Sequence, residues 1–234
     1  RPDEIAAWQA QLRKGGRRDG NAGGSAPKAI LSYRATLHAA YSWGLGVGLV
    51  SHNPVADAPA PRHRPARPKP PSVAEMDALV EALRGTRLFV PTLLLAATGM
   101  RRGEVLALRW GDITLKRDGD VFAATARVDR DRGNLTGKNA ASLRFGPPKT
   151  RAGARKVPLP AFAAAAMWEH RAEQRGRFVL AGLPWNRDTL VCCGGHGQPI
   201  APDAYTRELW RFRTRHGLER IHAHLVALGA VAML

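Results

Sequence analysis

Acidic, aromatic and sulfur-containing residues are scarce in this sequence. Its 234 residues include 36 Lys and Arg but only 19 Asp and Glu, and Phe, Trp and Tyr together make up 6%. The two cysteines, Cys192 and Cys193, are neighbours, and a disulfide between adjacent residues needs a strained ring. We therefore expect no disulfide framework, and we interpret the pair as inert, partly buried thiols.

Long apolar runs are also missing. The longest, residues 88–97 and 225–234, fall well short of the ~20 residues of a membrane-spanning helix, which excludes a membrane protein. The first residues, RPDEI, contain neither an initiator Met nor the apolar segment of a secretory signal. The sequence thus predicts a cytoplasmic protein without a membrane partner, and the absent Met is compatible with a fragment.

The scarcity of acidic residues leaves a formal net charge of +17. Such an excess is typical of proteins that bind polyanions, because each phosphate neutralised by Lys or Arg releases condensed counterions. Nucleic acid is therefore the first candidate partner. A cationic surface without a partner, or one that binds anionic membranes, stays open on charge alone.

The first 56 residues have the pattern of a small helical domain. Apolar residues recur at helical spacing in residues 4–12 and 27–43, which predicts two helices. The apolar face of the second helix is expected to carry Ile30, Tyr33, Leu37 and Tyr41. Residues 51–54 predict a turn before an extended segment. We therefore predict an all-helical N-terminal domain over residues 1–56.

Residues 57–71, DAPAPRHRPARPKPP, form a basic, proline-rich stretch. Its six prolines are incompatible with a helix or a central strand, so the stretch predicts a semi-rigid linker between two domains. Four of its cations are candidate DNA contacts: Arg62, Arg64, Arg67 and Lys69. In the helix before the linker, the sequence leaves open which of Lys28, Arg34 and His38 reaches a base rather than a phosphate.

A second domain begins after the linker. Ser72 and Glu75 have the spacing of a capping box, and the apolar residues 88–95 predict a central buried helix that ends at Gly99. Apolar residues then alternate with a period of two in residues 112–115, 121–128 and 154–159, before helical patterns return in residues 160–178 and 202–215. The predicted fold is mainly α with a small antiparallel β-sheet: an all-helical domain followed by an α+β domain.

The segment at residues 97–113 reads ATGMRRGEVLALRWGDI. Gly99 permits a sharp turn between helices, which places Arg101 in a loop mouth. A guanidinium held there can grip two phosphate oxygens and stabilise the charge of phosphoryl transfer. The segment resembles the first active-site box of the tyrosine recombinases, also called phage integrases. The resemblance implies that Arg101 is catalytic and that Glu104 supports it; the alternative is an Arg101 that merely pairs with Glu104.

A second match lies at residues 147–160, PPKTRAGARKVPLP, which is similar to the β-hairpin that carries the family's catalytic lysine. The lysine falls on Lys149, and a lysine in that place can protonate the departing 5′ oxygen of the DNA strand. Arg151, Arg155 and Lys156 are expected to hold the hairpin to DNA phosphates. The alternative is that these three are rim cations without a specific contact.

The family's His-x-x-Arg motif is matched only in part. His224 falls on the motif histidine, but Ala227 stands where the second catalytic arginine belongs. His222 is a weaker candidate, and no arginine follows it after three residues either, because Leu225 lies there. The family's nucleophilic tyrosine lies downstream of this motif. All tyrosines of this sequence precede His224, and we interpret them as packing residues: Tyr33, Tyr41 and Tyr205.

The resemblance covers nearly the whole chain. It implies a SAM-like core-binding domain over residues 1–56, the linker over residues 57–71, and over residues 72–234 a catalytic domain that ends before the nucleophile. In the family, two arginines clamp the scissile phosphate while a tyrosine forms a 3′-phosphotyrosine, and no metal or other cofactor is required. Four protomers on two double-stranded DNA sites exchange strands, as in DNA integration by mobile elements of bacteria and phages.

These residues predict a truncated or degenerate site-specific recombinase that binds DNA without cleaving it. Whether the chain is an enzyme is left open, because the tyrosine and the second arginine are lacking. The alternative is a non-catalytic DNA-binding regulator that occupies recombination sites. A cationic RNA-binding protein is a third interpretation, which the two matched boxes and the few stacking aromatics disfavour.

Overall fold

The computed structural model describes residues 1–15, 23–62, 71–132, 145–146, 154–219 and 221. The chain divides into two compact units, Arg1–Pro68 and Lys69–Leu234. No helix within the described ranges is both long enough and apolar enough to cross a membrane. Most of the predicted linker, residues 63–70, lies outside these ranges.

The described part of the first unit contains three helices, α1 (Pro2–Gly15), α2 (Pro27–Gly46) and α3 (Pro54–Asp57). The two long helices agree with the predicted ones. The extended segment predicted after residues 51–54 is wrong at its start, because a short helix forms there. Its cap is Asn53, whose side chain accepts the amide of Val55 at 3.1 Å and donates to the carbonyl of His38 at 3.2 Å.

The predicted apolar face of α2 is only partly buried. Ile30 is fully buried, whereas Tyr33 is exposed, so the interpretation of Tyr33 as a packing residue is wrong. Arg34 takes part in the packing instead, donating hydrogen bonds to the carbonyls of Val55 and, at 2.7 Å, Ala58. These bonds hold α3 and the residue after it to α2, and they engage the guanidinium within the unit.

The second unit is built around one strongly apolar helix, residues 89–98. Its helices are α4 (Val73–Ala82), α5 (Phe89–Thr98), α6 (Arg102–Ala107), α7 (Ala161–Leu180) and α8 (Pro202–Arg215), with a 3₁₀ turn at Trp110–Asp112. The capping box of Ser72 and Glu75 opens α4 as predicted. Eight consecutive residues of α5 are buried, which confirms the predicted central helix.

The second unit also contains the predicted small antiparallel sheet. Its strands are β1 (Ile113–Asp118), β2 (Val121–Val128), β3 (Asp131–Arg132), β4 (Phe145–Gly146) and β5 (Arg155–Leu159). Strands β1, β2 and β5 form a three-stranded sheet in that order, and β3 pairs with β4. The register sets Ile113 opposite Ala126 and Val157 opposite the same residue on the other side. The predicted fold class is confirmed; β3 and β4 were not predicted.

Candidate functional site

Arg101 lies in a tight turn between α5 and α6. The helix α5 ends at Gly99, whose φ of 64° is left-handed, a conformation that costs an L-residue about 1–2 kcal/mol. The Gly99 amide bonds to the carbonyl of Leu95 at 3.1 Å, and Met100 beyond it is fully buried. The turn therefore delivers Arg101 to the position that caps the N-terminus of α6.

Glu104 anchors this turn. Its Oε2 accepts the backbone amide of Arg101 at 2.8 Å, as acidic side chains often do in the first turn of a helix. Its Oε1 accepts Nη1 of the Arg101 guanidinium at 3.0 Å. The Glu104 side chain is 1% exposed and that of Arg101 is 66% exposed. One terminal nitrogen of the guanidinium is therefore hydrogen-bonded, whereas most of the Arg101 side chain is exposed to solvent.

A second arginine reaches the same carboxylate from β5. Arg155 donates from Nη1 to Oε1 of Glu104 at 3.0 Å and from Nη2 to Oε2 at 2.9 Å, the two-pronged geometry that suits guanidinium and carboxylate. Residue 155 shares the inward face of its strand with Val157 and Leu159, which accounts for this direction. The sequence predicted Arg155 as a phosphate contact; the structure aims its guanidinium at Glu104.

These contacts set the charge state of Glu104. Burial by itself would raise the pKa of the carboxyl, but hydrogen bonds from Arg155 and from Arg101 outweigh it and hold the pKa below its ordinary 4.5. The hydrogen bond to Glu104 in turn raises the pKa of Arg155. At neutral pH the three side chains described here, one carboxylate and two guanidiniums, have a net charge of +1.

A second buried carboxylate follows in the 3₁₀ turn. Asp112 accepts the backbone amide of Arg109 on Oδ2 at 3.1 Å, the same cap that Glu104 provides for α6. Gly111 in this turn donates to the carbonyl of Arg187 at 2.7 Å, and a Cβ there would lie 2.9 Å from that oxygen. The indole of buried Trp110 donates to Oε1 of Gln174 on α7 at 2.7 Å.

Two arginines also pair with Asp112. Nη2 of Arg127 and Nη2 of Arg130 each lie 3.1 Å from Oδ1 of Asp112, whose side chain is 4% exposed. Both arginines additionally reach Asp129, Arg130 at 2.9 Å and Arg127 at 3.4 Å. Two guanidiniums therefore face two carboxylates, and these four side chains carry no surplus charge.

The structure brings together only some of the predicted site residues. Arg101, Glu104 and Arg155 form one cluster, and Lys156 is exposed on β5 directly opposite Arg127 of β2. Arg62 is exposed in the first unit. The remaining predicted residues lie outside the described ranges: Arg64, Arg67, Lys69, Lys149, Arg151 and His224. Their roles stay predictions.

Sequence reasoning missed Arg155 as the partner of Glu104, and it missed the group around Asp112. A signal for Arg155 was present, because the period-two pattern of residues 154–159 places residue 155 on the same face as the apolar Val157 and Leu159. The sequence contains no comparable signal for Arg127, which lies in β2, or for Arg130, which follows it. Both contact Asp112 only because the folded chain brings them together.

Tyr205 and the two cysteines of the second unit are largely shielded from solvent. Tyr205 is fully buried and shares a hydrogen bond of 2.9 Å with Thr92, and burial raises the pKa of its phenol, as expected of a packing residue. Cys192 is buried and Cys193 half-buried, as the sequence predicted; burial raises the pKa of both thiols, and their inertness stays a prediction. Among the described residues, no group of three or more His, Cys, Asp or Glu could hold a metal.

The sequence relatives of this chain include an integrase and a XerC-like tyrosine recombinase. An integrase of Streptomyces ambofaciens is 27% identical over 180 residues, which is 74% of this chain and 43% of that protein. A XerC-like tyrosine recombinase of Caldanaerobacter subterraneus is 33% identical over 118 residues, 49% of this chain and 29% of that protein. The chain thus spans less than half the length of either relative. No protein-family profile matches it.

Solved structures share the fold. The Tn1549 transposon integrase in complex with a circular intermediate DNA superimposes with a TM-score of 0.71 at 16% identity, over 100% of this chain and 72% of that one. A lambda integrase tetramer bound to a Holliday junction gives a TM-score of 0.58 at 16% identity, over 98% of this chain and 56% of that one. At these sequence identities, the similarity shows only that this chain shares the fold of the two integrases.

Proposed function

We propose that this chain, which belongs to the tyrosine recombinase family, binds duplex DNA as part of site-specific recombination. The proposal assigns residues 1–56 to core binding, residues 57–71 to the linker and residues 72–234 to the catalytic domain. It is supported by the fold shared with integrases whose structures contain DNA. The net charge of +17 supplies the attraction to phosphates.

One observation carries the proposal: the guanidinium of Arg101 is anchored and exposed at once. Glu104 holds it by Nη1 at 3.0 Å, yet 66% of the side chain faces solvent. A phosphate clamp needs both properties, because an unanchored arginine loses side-chain entropy on binding and a buried one cannot reach DNA. In the proposed mechanism Arg101 contacts the scissile phosphate, Lys149 serves the leaving oxygen and His224 lies beside them.

DNA binding is tested without knowing the target sequence. The purified chain selects duplexes from a random 40-base-pair library, and the enriched duplex is then titrated by fluorescence anisotropy. We expect the affinity to fall by ~10³ to 10⁵ between about 50 and 200 mM salt, as six to ten phosphate contacts require. A structured RNA hairpin should compete poorly. A flat salt response, or preference for the hairpin, would reject the proposal.

Strand cleavage is a separate part of the proposal. We expect a polypeptide of these 234 residues to bind DNA without joining to it, because Ala227 replaces the second arginine and none of its tyrosines occupies the nucleophile's place after His224. Loss of one clamping arginine alone is expected to slow phosphoryl transfer by ~10³ or more. The test is a nicked suicide duplex followed by a denaturing gel. A covalent protein–DNA band would contradict this expectation.

The same experiments address the alternative function, a regulator that occupies recombination sites. Both functions predict tight binding without cleavage, but only the recombinase needs paired protomers on two sites. Sedimentation of the chain with the selected duplex distinguishes them: assemblies that contain two duplexes support recombination. Complexes that never exceed one duplex support the regulator.

A further inference from the structure

The buried carboxylate of Glu104 divides its two oxygens evenly between two arginines. Oε1 accepts Nη1 of Arg101 at 3.0 Å and Nη1 of Arg155 at 3.0 Å. Oε2 accepts the Arg101 amide at 2.8 Å and Nη2 of Arg155 at 2.9 Å. Each oxygen therefore accepts two hydrogen bonds, which satisfies a carboxylate that water does not reach.

The two arginines use this carboxylate differently. Arg155 binds it through both terminal nitrogens and is 35% exposed, whereas the Arg101 guanidinium binds through one nitrogen and is 66% exposed. Within the described ranges, Nε and Nη2 of Arg101 form no hydrogen bond. Within the part of the chain that the structure describes, Arg155 is thus the main counter-ion of Glu104, and Arg101 is the less engaged of the two guanidiniums.

We propose that Arg155 is a positioning residue for Arg101: it neutralises Glu104 and thereby leaves the Arg101 guanidinium available to a DNA phosphate. This inference rests on the proposed function. Without Arg155, the buried carboxylate would keep Arg101 as its single counter-ion, because an uncompensated buried charge is strongly unfavourable. The Arg101 guanidinium would then turn onto Glu104 and lose its reach.

The alternative assigns Arg155 to DNA directly, as one more phosphate contact of the hairpin. The two roles differ in how Arg155 depends on Arg101. A direct contact weakens DNA binding by the same factor whether or not Arg101 is present, whereas a positioning residue acts only through Arg101. A double-mutant cycle therefore separates them.

The cycle compares Arg155→Met in the wild-type chain and in Arg101→Ala, with affinity for the selected duplex measured by anisotropy. We expect Arg155→Met to weaken binding about tenfold in the wild-type chain, the loss that one charge-assisted hydrogen bond carries, and less than about twofold in Arg101→Ala. Lys156→Met removes the same charge from the neighbouring residue and should weaken binding equally in both backgrounds. Equal losses for Arg155→Met in both backgrounds would overturn the inference.

Two further measurements keep the test decisive. Should Arg155→Met fail to fold, Arg155→Lys retains the charge but only one prong, and its smaller loss must likewise vanish in Arg101→Ala. The second measurement is independent of DNA: the Arg101 Nε–Hε signal, assigned by its loss in Arg101→Lys, is followed by NMR relaxation. We expect Arg155→Met to restrict its motion and Lys156→Met to leave it unchanged.

Failure of the proposed function is therefore distinguishable from failure of the inference. A wild-type chain that binds no duplex rejects the function, and the NMR signal then decides the inference alone. An Arg101 side chain that is unchanged or more mobile in Arg155→Met rejects the inference whatever the chain binds.

Discussion

The second unit contains two buried carboxylates of the same design, Glu104 and Asp112. Each lies in the first turn of a short helix, accepts the amide of the preceding cap residue and pairs with two arginines. The difference is in the charge balance. Asp129 completes the group around Asp112, whereas the three described side chains around Glu104 have a net charge of +1, and Arg101 is the most exposed of them.

The same arrangement of a buried carboxylate and two arginines can therefore serve two purposes. A balanced group of ion pairs braces the fold and offers little attraction to an anion, because its charges cancel within a few ångströms. A group with one arginine too many has the same bracing bonds and also presents a held positive charge to solvent. We therefore assign the Asp112 group to structure and the Glu104 group to structure and phosphate binding together.

Removal of either carboxylate should have the largest effect on stability. We expect Glu104→Ala and Asp112→Ala each to lower the free energy of unfolding by about 3 kcal/mol, because each removes a helix cap together with charge-assisted hydrogen bonds to two arginines. Urea titration measures this loss. Glu81→Ala is the control: its exposed pair with Arg84 should contribute no more than about 0.5 kcal/mol.

The same two variants should differ from each other in their affinity for DNA. Both add one positive charge to the chain, so unspecific attraction alone predicts tighter binding for both. We expect Glu104→Ala to bind the selected duplex more weakly, because Arg101 loses its anchor, and Asp112→Ala not to lose affinity. Weakening of both by the same factor would remove the distinction between the groups.

The glycines beside the two groups should have intermediate effects. Gly111→Ala places a Cβ 2.9 Å from the carbonyl oxygen of Arg187 and should cost about 2 kcal/mol, since a backbone atom must move. Gly99→Ala meets the left-handed φ of 64° and should cost about 1 kcal/mol. Thermal unfolding measures both. We expect only Gly99→Ala to weaken DNA binding as well, because only that turn places Arg101.

Lowering the pH should produce the smallest of these changes in the free energy of unfolding. The pKa of Glu104 is lowered in the folded chain, so its contribution to stability is complete above 4.5 and is lost as the pH falls through the folded value. The difference in unfolding free energy between the wild-type chain and Glu104→Gln should therefore shrink from pH 6 towards pH 3. A difference that is constant over this range would show that the Glu104 carboxylate contributes nothing through its charge.

Much of the fold could be predicted from local patterns. The capping box at Ser72, the buried helix α5 and its end at Gly99 each depend on a few neighbouring residues, and the structure contains all three. The exposure of Tyr33 and the short helix α3 could not be predicted, because packing between helices decides them. The pairing of Glu104 with Arg155 spans 51 residues, and only the alternation along β5 hinted at its direction.

The most direct test of the account compares two matched arginines. Arg101 and Arg127 are similarly exposed, at 66% and 57%, and each pairs with one of the two buried carboxylates. We predict that Arg101→Ala raises the dissociation constant for the selected duplex about tenfold or more, the effect of losing a charge-assisted hydrogen bond to phosphate. Arg127→Ala should raise it less than about twofold. Equal losses would contradict the account, because both arginines would then be unspecific surface charge.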